Sequence, residues 1–339
     1  MWRFKAADKG LIGVDIGVST VKLIEFRFKG VEPQVSGLAM APLRMGAVIE
    51  NRIHDDGAVA DALSHALAAA KPLGKRACVA VPAGAAIVKT LSLPASLGED
   101  DIESRLQLES DKHIPFPFDD ITFDFQSLGA LDDADDQQAV LLVACRRQTV
   151  EQRVELLRRV GLTSVAVDVD TFAVERAMAV PGIRFSPSGE DGEGVALVDI
   201  GTDSSTLYIL QRGRVVYRHD IALGGRVLIE ATRGRHGTEH RQDDTLAPCV
   251  DALARQVGRA MQLYHAAGRG REIRRMALAG SVSLLPGLAG RLAGESGLQV
   301  AVTNPLHGVR WHPRVDARAL AEAAPDMLIA RGLAMRGRS

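Results

Sequence analysis

Three short stretches of this sequence combine glycine with hydroxyl and carboxylate side chains at spacings that suit phosphate chemistry. The first, Gly13-Val-Asp-Ile-Gly-Val-Ser-Thr-Val-Lys, holds Asp15, Gly17, Ser19, Thr20 and Lys22. The second, Leu197-Val-Asp-Ile-Gly-Thr-Asp-Ser, holds Asp199, Gly201, Thr202 and Ser204. Each reads as a β-hairpin with Asp, Gly and hydroxyl residues at its turn. A glycine there lets backbone N–H groups approach an oxyanion closely, and neighbouring hydroxyls add donors. Two such turns facing each other across a cleft can grip the tail of a nucleotide from both sides, with Asp15 and Asp199 holding Mg²⁺ through its waters. Lys22 adds a cation on the strand that leaves the first turn. One Asp-Ile-Gly equally fits an ordinary hairpin, and it is the repetition in matching settings that favours the phosphate reading. The third stretch, Met276-Ala-Leu-Ala-Gly-Ser-Val-Ser, is a strand followed by a turn at Gly280 and Ser281. Gly280 supplies the lack of bulk that a flat base needs, although a plain strand-to-helix turn would use the same residues.

The elements that must position these residues share the duplication. Each hairpin continues through a second turn, at Lys29-Gly30 and at Arg212-Gly213, so two three-stranded meanders are predicted. Behind the first come an alanine-rich amphipathic helix over 59–70 and a buried strand over 76–81. Between about 84 and 161 the pattern changes to strand, helix, strand, strand, helix, an inserted unit whose first helix is ended by Pro115 and Pro117. A strand from Ser164 and a helix from Thr171 follow, and then a Gly, Pro, Ser and acid-rich loop over 181–194. After the second meander the pattern predicts helices at 246–266 and 288–295, strands at 276–279 and 299–303, and a C-terminal helix from Arg318. The class is α/β. The predicted domains are a first lobe over 10–83 and 162–180, the insertion over 84–161, and a second lobe over 194–339.

Composition excludes several other roles. The 41 Lys and Arg balance 42 Asp and Glu for a net charge of −1, so no excess positive charge is available to neutralise nucleic acid phosphates. The charged N-terminus is too short and polar to be a secretory signal, and no run reaches the apolar length that spans a bilayer, so a cytoplasmic protein is expected. Cys78, Cys145 and Cys249 are odd in number and lie in apolar stretches, which points to buried thiols rather than a disulfide frame. The run Asp132-Asp-Ala-Asp-Asp reads as a solvated turn, because clustered like charges stay in water.

The order of the three glycine-containing stretches resembles the actin-like ATPase superfamily, which includes actin, heat-shock chaperones, sugar kinases and FtsA. Within it the chain is similar nearly end to end to the PilM family of type IV pilus assembly proteins. The resemblance is carried by the two Asp-Ile-Gly stretches, Leu108-Glu-Ser-Asp-Lys-His-Ile-Pro-Phe-Pro-Phe, Leu223-Gly-Gly-Arg, and Pro325-Asp-Met-Leu-Ile-Ala-Arg-Gly-Leu-Ala-Met-Arg. It implies an actin-like fold of two lobes around a cleft for ATP and Mg²⁺. Asp15, Gly17, Ser19, Thr20 and Lys22 would form the first phosphate turn, Asp199, Gly201, Thr202 and Ser204 the second, and Gly280 and Ser281 the adenosine turn. Asp170 falls where relatives keep an acid that orients the attacking water, although it equally suits the N-cap of the following helix. Two departures stand out. Asp203 puts a carboxylate into the second phosphate turn, and the Glu and Lys that would grip the ribose have no clear counterpart, with Glu230, Arg233 and Glu239 as candidates.

The function this resemblance implies is a cytoplasmic scaffold of pilus assembly with at most slow ATP turnover, peripheral at the inner membrane. Its expected partners are the cytoplasmic N-terminal tail of a PilN-like inner-membrane protein, sought around Leu91 to Phe118, and other pilus assembly proteins. A small-molecule kinase with Asp168 or Asp170 as base, or an FtsA-like membrane-linked filament former, are the alternatives.

Overall fold

Alternation of antiparallel hairpins with parallel crossovers builds two sheets of the same wiring. The computed structural model describes residues 10–29, 32–131, 134–179, 193–233, 242–268 and 272–336. The first lobe opens with β1 (Leu11–Ile16), β2 (Thr20–Lys29) and β3 (Glu32–Pro42), then a small ribbon of β4 (Val48–Ile49) and β5 (Arg52–Ile53), helix α1 (Asp56–Ala70) and β6 (Arg76–Val81). The insertion contributes β7 (Ala86–Pro94), α2 (Glu99–Leu108), α3 (Ser110–His113), β8 (Ile121–Leu131) and β9 (Ala134–Arg146). Then come α4 (Arg147–Arg159), β10 (Thr163–Val169) and α5 (Asp170–Met178). The second lobe holds β11 (Gly194–Ile200), β12 (Ser205–Gln211), β13 (Arg214–Ile221), α6 (Arg226–Arg233), α7 (Gln242–Ala266), β14 (Ile273–Ala279), α8 (Leu288–Ser296) and β15 (Gln299–Val302). The chain ends with β16 (Arg310–Trp311), α9 (Ala317–Ala323) and α10 (Leu328–Ala334).

Sheet order is β10-β6-β1-β2-β3-β16 in the first lobe and β13-β12-β11-β14-β15 in the second. In both, a meander is followed by two strands parallel to the first, so the predicted duplication is a duplication of topology. Parallel strands leave the sheet at a common end. The turn after β14 therefore emerges beside the tip of β11, where Asp199 is in register with Ala279. Asp170 likewise emerges at the carboxyl end of the first sheet, where ligands of open α/β sheets bind.

Two domain boundaries differ from those expected. Helix α4 buries Leu156 and Leu157 in the first-lobe core with Val59, Leu63 and Val79, so it packs as a lobe helix and the insertion is the three-stranded sheet with α2 and α3. The insertion has its own core of Leu93, Ile102, Leu106, Ile121, Val140 and Leu142. The second difference is that the C-terminal segment returns to the first lobe. Strand β16 pairs with β3, and Leu306, Leu320 and Met327 pack with Ile24 and Phe26. The C-terminal helix expected from Arg318 is also divided, into α9 and α10 with a 3₁₀ turn at Ala324–Met327 containing Pro325.

Helices α5 and α10 bind the lobes together. Val174, Ala177 and Met178 of α5 pack with Leu197, Tyr208 and Ala277 of the second sheet. Helix α10 lies on β1, where a Cβ on Gly13 would come within 1.9 Å of the Ala330 carbonyl oxygen. Among the described residues no helix is long and apolar enough to cross a membrane. Cys78 and Cys145 are buried and Cys249 is partly buried, all as free thiols. The expected loop over 181–194 and the first two aspartates of the 132–136 run lie largely or wholly outside the described residues.

Candidate functional site

The two hairpin tips line one cleft of about 420 Å³ between the lobes. In the first, Gly17 N–H donates to the Thr20 carbonyl at 3.0 Å. A Cβ on Gly17 would stand 3.1 Å from that oxygen, and one on Gly201 would stand 2.8 Å from the Ser204 carbonyl oxygen. The second tip is thus closed too tightly for a side chain, which is the local reason for Gly201, and the first is nearly as tight at Gly17. The second tip is also clamped from outside. Gly225 N–H donates to the Gly201 carbonyl and Arg226 N–H to the Thr202 carbonyl, each at 2.8 Å. Ser205 Oγ donates to the Leu223 carbonyl at 2.7 Å, and a Cβ on Gly224 would meet the Thr202 carbonyl oxygen at 2.4 Å. Leu223-Gly-Gly-Arg is therefore the backing of this turn. Both lining the cleft, Ser19 Oγ and Thr202 Oγ1 are hydrogen-bonded at 2.5 Å, so the tips of the two lobes touch.

The antiparallel register places Asp15 opposite Lys22, and Lys22 Nζ donates to Asp15 Oδ2 at 3.1 Å. Burial works against the Lys22 ammonium, but the charges of Asp15, Asp326 and Asp199 more than offset it and hold its pKa above the ordinary value. Asp199 titrates abnormally too. Burial, opposed by Lys22 and reinforced by Asp15, Asp326 and Asp170, pushes its carboxyl up to about 6. Asp15 is thus hydrogen-bonded to the ammonium, and the charges of Asp199 and Asp326 act on it as well. Among the described residues no group of three His, Cys, Asp or Glu side chains is placed to hold a metal ion directly.

This acidic excess has a measurable consequence for stability. A carboxyl whose folded-state pKa is raised costs nothing below its ordinary pKa and is a full penalty above the raised one. Asp199→Asn should therefore stabilise the ligand-free protein by about 1–2 kcal/mol at pH 7.5. The gain should shrink as pH falls from about 6 and vanish near 4. Thermal denaturation of both forms across pH 4–8 measures it, and a pH-independent difference would contradict the charge account.

The remaining expected residues divide. Asp170 lines the cleft and begins α5 itself; no side chain caps that helix. Its carboxylate accepts the Ala83 N–H at 3.0 Å and the Thr171 hydroxyl at 3.2 Å. Burial raises its pKa, with Arg218 the strongest opposing influence. Ser281 lines the cleft, and Gly280 is not among the lining residues. Gly280 has φ +87° and packs so that a Cβ would lie 2.3 Å from the Ile200 carbonyl oxygen, so its lack of a side chain serves the junction of β14 with β11. Asp203 pairs with Arg226 at 2.6 Å, which offsets the charge it brings to the second turn. Glu230 lines the cleft, whereas the Arg233 side chain and Glu239 lie outside the described residues. Asp168 is absent from the lining: it is buried and paired with Arg176 and with Arg336. It is not free to act as a base.

Sequence reading missed several cleft residues, among them three charged ones. Asp326, whose Oδ1 accepts the Ser281 N–H at 2.9 Å, comes from the C-terminal segment, where Pro325-Asp-Met-Leu was the only signal. Arg153 and Arg218 also line the cleft, and nothing local to either position marks it.

Comparison with known proteins adds two findings. A family described as type IV pilus assembly protein PilM matches residues 13–338. Among solved structures, the chain is similar to one described as a PilM-PilN type IV pilus biogenesis complex. Identity there is 25%, coverage is 99% of this chain and 100% of that one, and the TM-score is 0.77. It is also similar in fold to the ethanolamine utilization protein EutJ from Carboxydothermus hydrogenoformans, at 14% identity, with 98% and 91% coverage and a TM-score of 0.55.

Proposed function

This chain belongs to the PilM family of type IV pilus assembly proteins, and from that premise we propose that it is a cytoplasmic actin-like scaffold. It docks the cytoplasmic N-terminal tail of a PilN-like inner-membrane protein and holds Mg-ATP between its lobes as a structural ligand or slow switch. The similarity over 99% of the chain to a PilM-PilN complex carries the partner reading. The tail is sought on the insertion around Leu91 to Phe118, where Leu108 is 85% exposed. Part of that stretch serves the insertion itself, since Phe116 and Phe118 pack against its core and Arg146 lies over the Phe116 ring at 4.2 Å.

The residues of the cleft fit a magnesium nucleotide. Asp15, Asp199 and Asp326 provide an acidic excess that a hydrated divalent ion would offset, and Lys22 and the glycine tips suit phosphate. Bound Mg²⁺ would supply charge neutralisation for the polyphosphate. A polyphosphate between the tips must replace the Ser19–Thr202 hydrogen bond, so entry requires the lobes to part. Asp170, already engaged by Ala83 and Thr171, is the residue that would orient water, and turnover should be slow.

Two measurements on the full chain test this. A labelled PilN-like tail peptide should bind, with crosslinks or NMR shifts falling within 91–118; contacts confined to the second lobe would refute the partner reading. Calorimetry should show Mg-ATP binding that Asp199→Asn weakens, even though that change stabilises the ligand-free fold. Equal binding by both forms would refute the assigned site.

A further inference from the structure

Charged side chains of both signs line the cleft. Asp15, Asp199 and Asp326 gather around Lys22, on the side where Ser281 donates to Asp326. Arg153 and Arg218 line the same cleft as Asp170, and the charge of each acts on that carboxylate without an ion pair to it among the described residues. Arg153 arrives from α4 of the first lobe and is 4% exposed. Its Nε donates to the Ala80 carbonyl at 2.8 Å and its Nη1 to the Thr149 carbonyl at 3.0 Å. Both acceptors are uncharged, and Arg153 makes no ion pair among the described residues. Arg218 arrives from β13 of the second lobe. It pairs with the exposed Asp220 at 2.8 Å, and its Nε is buried and meets no acceptor among the described residues.

We propose that Arg153 and Arg218 form the seat of a terminal phosphate, one arginine from each lobe, so that the cleft distinguishes a nucleoside triphosphate from a diphosphate. This rests on the nucleotide reading of the cleft given above. A phosphoryl oxygen accepts the forked N–H groups of a guanidinium, and such charge-assisted contacts are the strong ones. Arg153 is held in advance by its two carbonyl bonds, so little further ordering is required on binding. A triphosphate would join the lobes at this end of the cleft as well as at the hairpin tips. A diphosphate lacks the group that reaches the arginines, and it would leave this end open.

The test is calorimetry of the full chain with Mg-ATP and with Mg-ADP. The wild type should prefer ATP by about ten- to a hundredfold. Arg218→Gln should lower ATP affinity about tenfold and leave ADP affinity unchanged, the latter also reporting that the cleft is folded. Arg153→Gln should do the same; if it fails to fold, the partly exposed Arg218 decides. Equal wild-type affinity for the two nucleotides, or an Arg218→Gln loss shared equally by ATP and ADP, would overturn the phosphate seat while leaving the nucleotide cleft standing. Binding of neither nucleotide by the wild type would overturn both.

Discussion

Replacing Gly332 by alanine is expected to destabilise the protein by about 3 kcal/mol or more, the upper end of what overpacking costs. The new Cβ would lie 1.8 Å from the Ala173 carbonyl oxygen and 2.5 Å from its carbon. These are backbone atoms of α5, itself fixed against the second sheet by Val174 and Ala177. Helix α10 cannot retreat either, because its other side meets Gly13 of β1. The strain therefore falls on the pair of helices that joins the lobes, and the cleft above them should widen or lose its hairpin contact. Gly290→Ala is the control. Gly290 lies inside α8 with open space where a Cβ would be, so alanine should leave stability unchanged or raise it by up to about 1 kcal/mol. Urea denaturation of the three proteins decides: a Gly332→Ala midpoint equal to wild type would show that the helices have slack.

Lys22→Met is expected to cost about 3 kcal/mol at pH 8, because it leaves Asp15, Asp199 and Asp326 facing one another without a cation. The raised pKa of Lys22 means that its stabilising charge is present throughout the neutral range and is lost only under strongly alkaline conditions. The deficit should therefore depend on the carboxylates rather than on the lysine. Asp199 titrates at about 6 with Lys22 lowering its pKa, so without the lysine it takes up its proton at a higher pH still. As pH falls the repulsion is relieved and the difference from wild type should narrow. Millimolar Mg²⁺ should narrow it too at pH 8, by supplying the missing positive charge. Thermal melts at pH 5 and pH 8, with and without Mg²⁺, would show this pattern. A deficit insensitive to both would mean that the Lys22→Met change acts through packing alone.

What the sequence determined by itself is local. Asp-Ile-Gly with hydroxyls between two apolar runs specifies a hairpin with a tight glycine tip, because strand period and turn chemistry act over a few residues. Repeating it at Asp15 and Asp199 was enough to read the two meanders, and hairpin register then put Lys22 opposite Asp15. The insertion was also legible, since its strand and helix pattern interrupts the lobe. Tertiary structure decided everything that depends on distant partners. Helix α4 reads as the last element of the insertion until Leu156 and Leu157 are seen in the first-lobe core. Asp168 and Asp170 look equivalent in a Val-Asp-Val-Asp run; only packing gives one to Arg176 and Arg336 and turns the other into the cleft. Asp326 reaches the same cleft because α10, at the opposite end of the chain from β1, settles on Gly13. Arg331 in that helix is fully buried with its guanidinium 5.9 Å from the Phe26 ring, in a position where charge alone would predict solvent. The physical reason is the same each time: periodicity records which face of an element is buried, and carries no record of which other element will cover it.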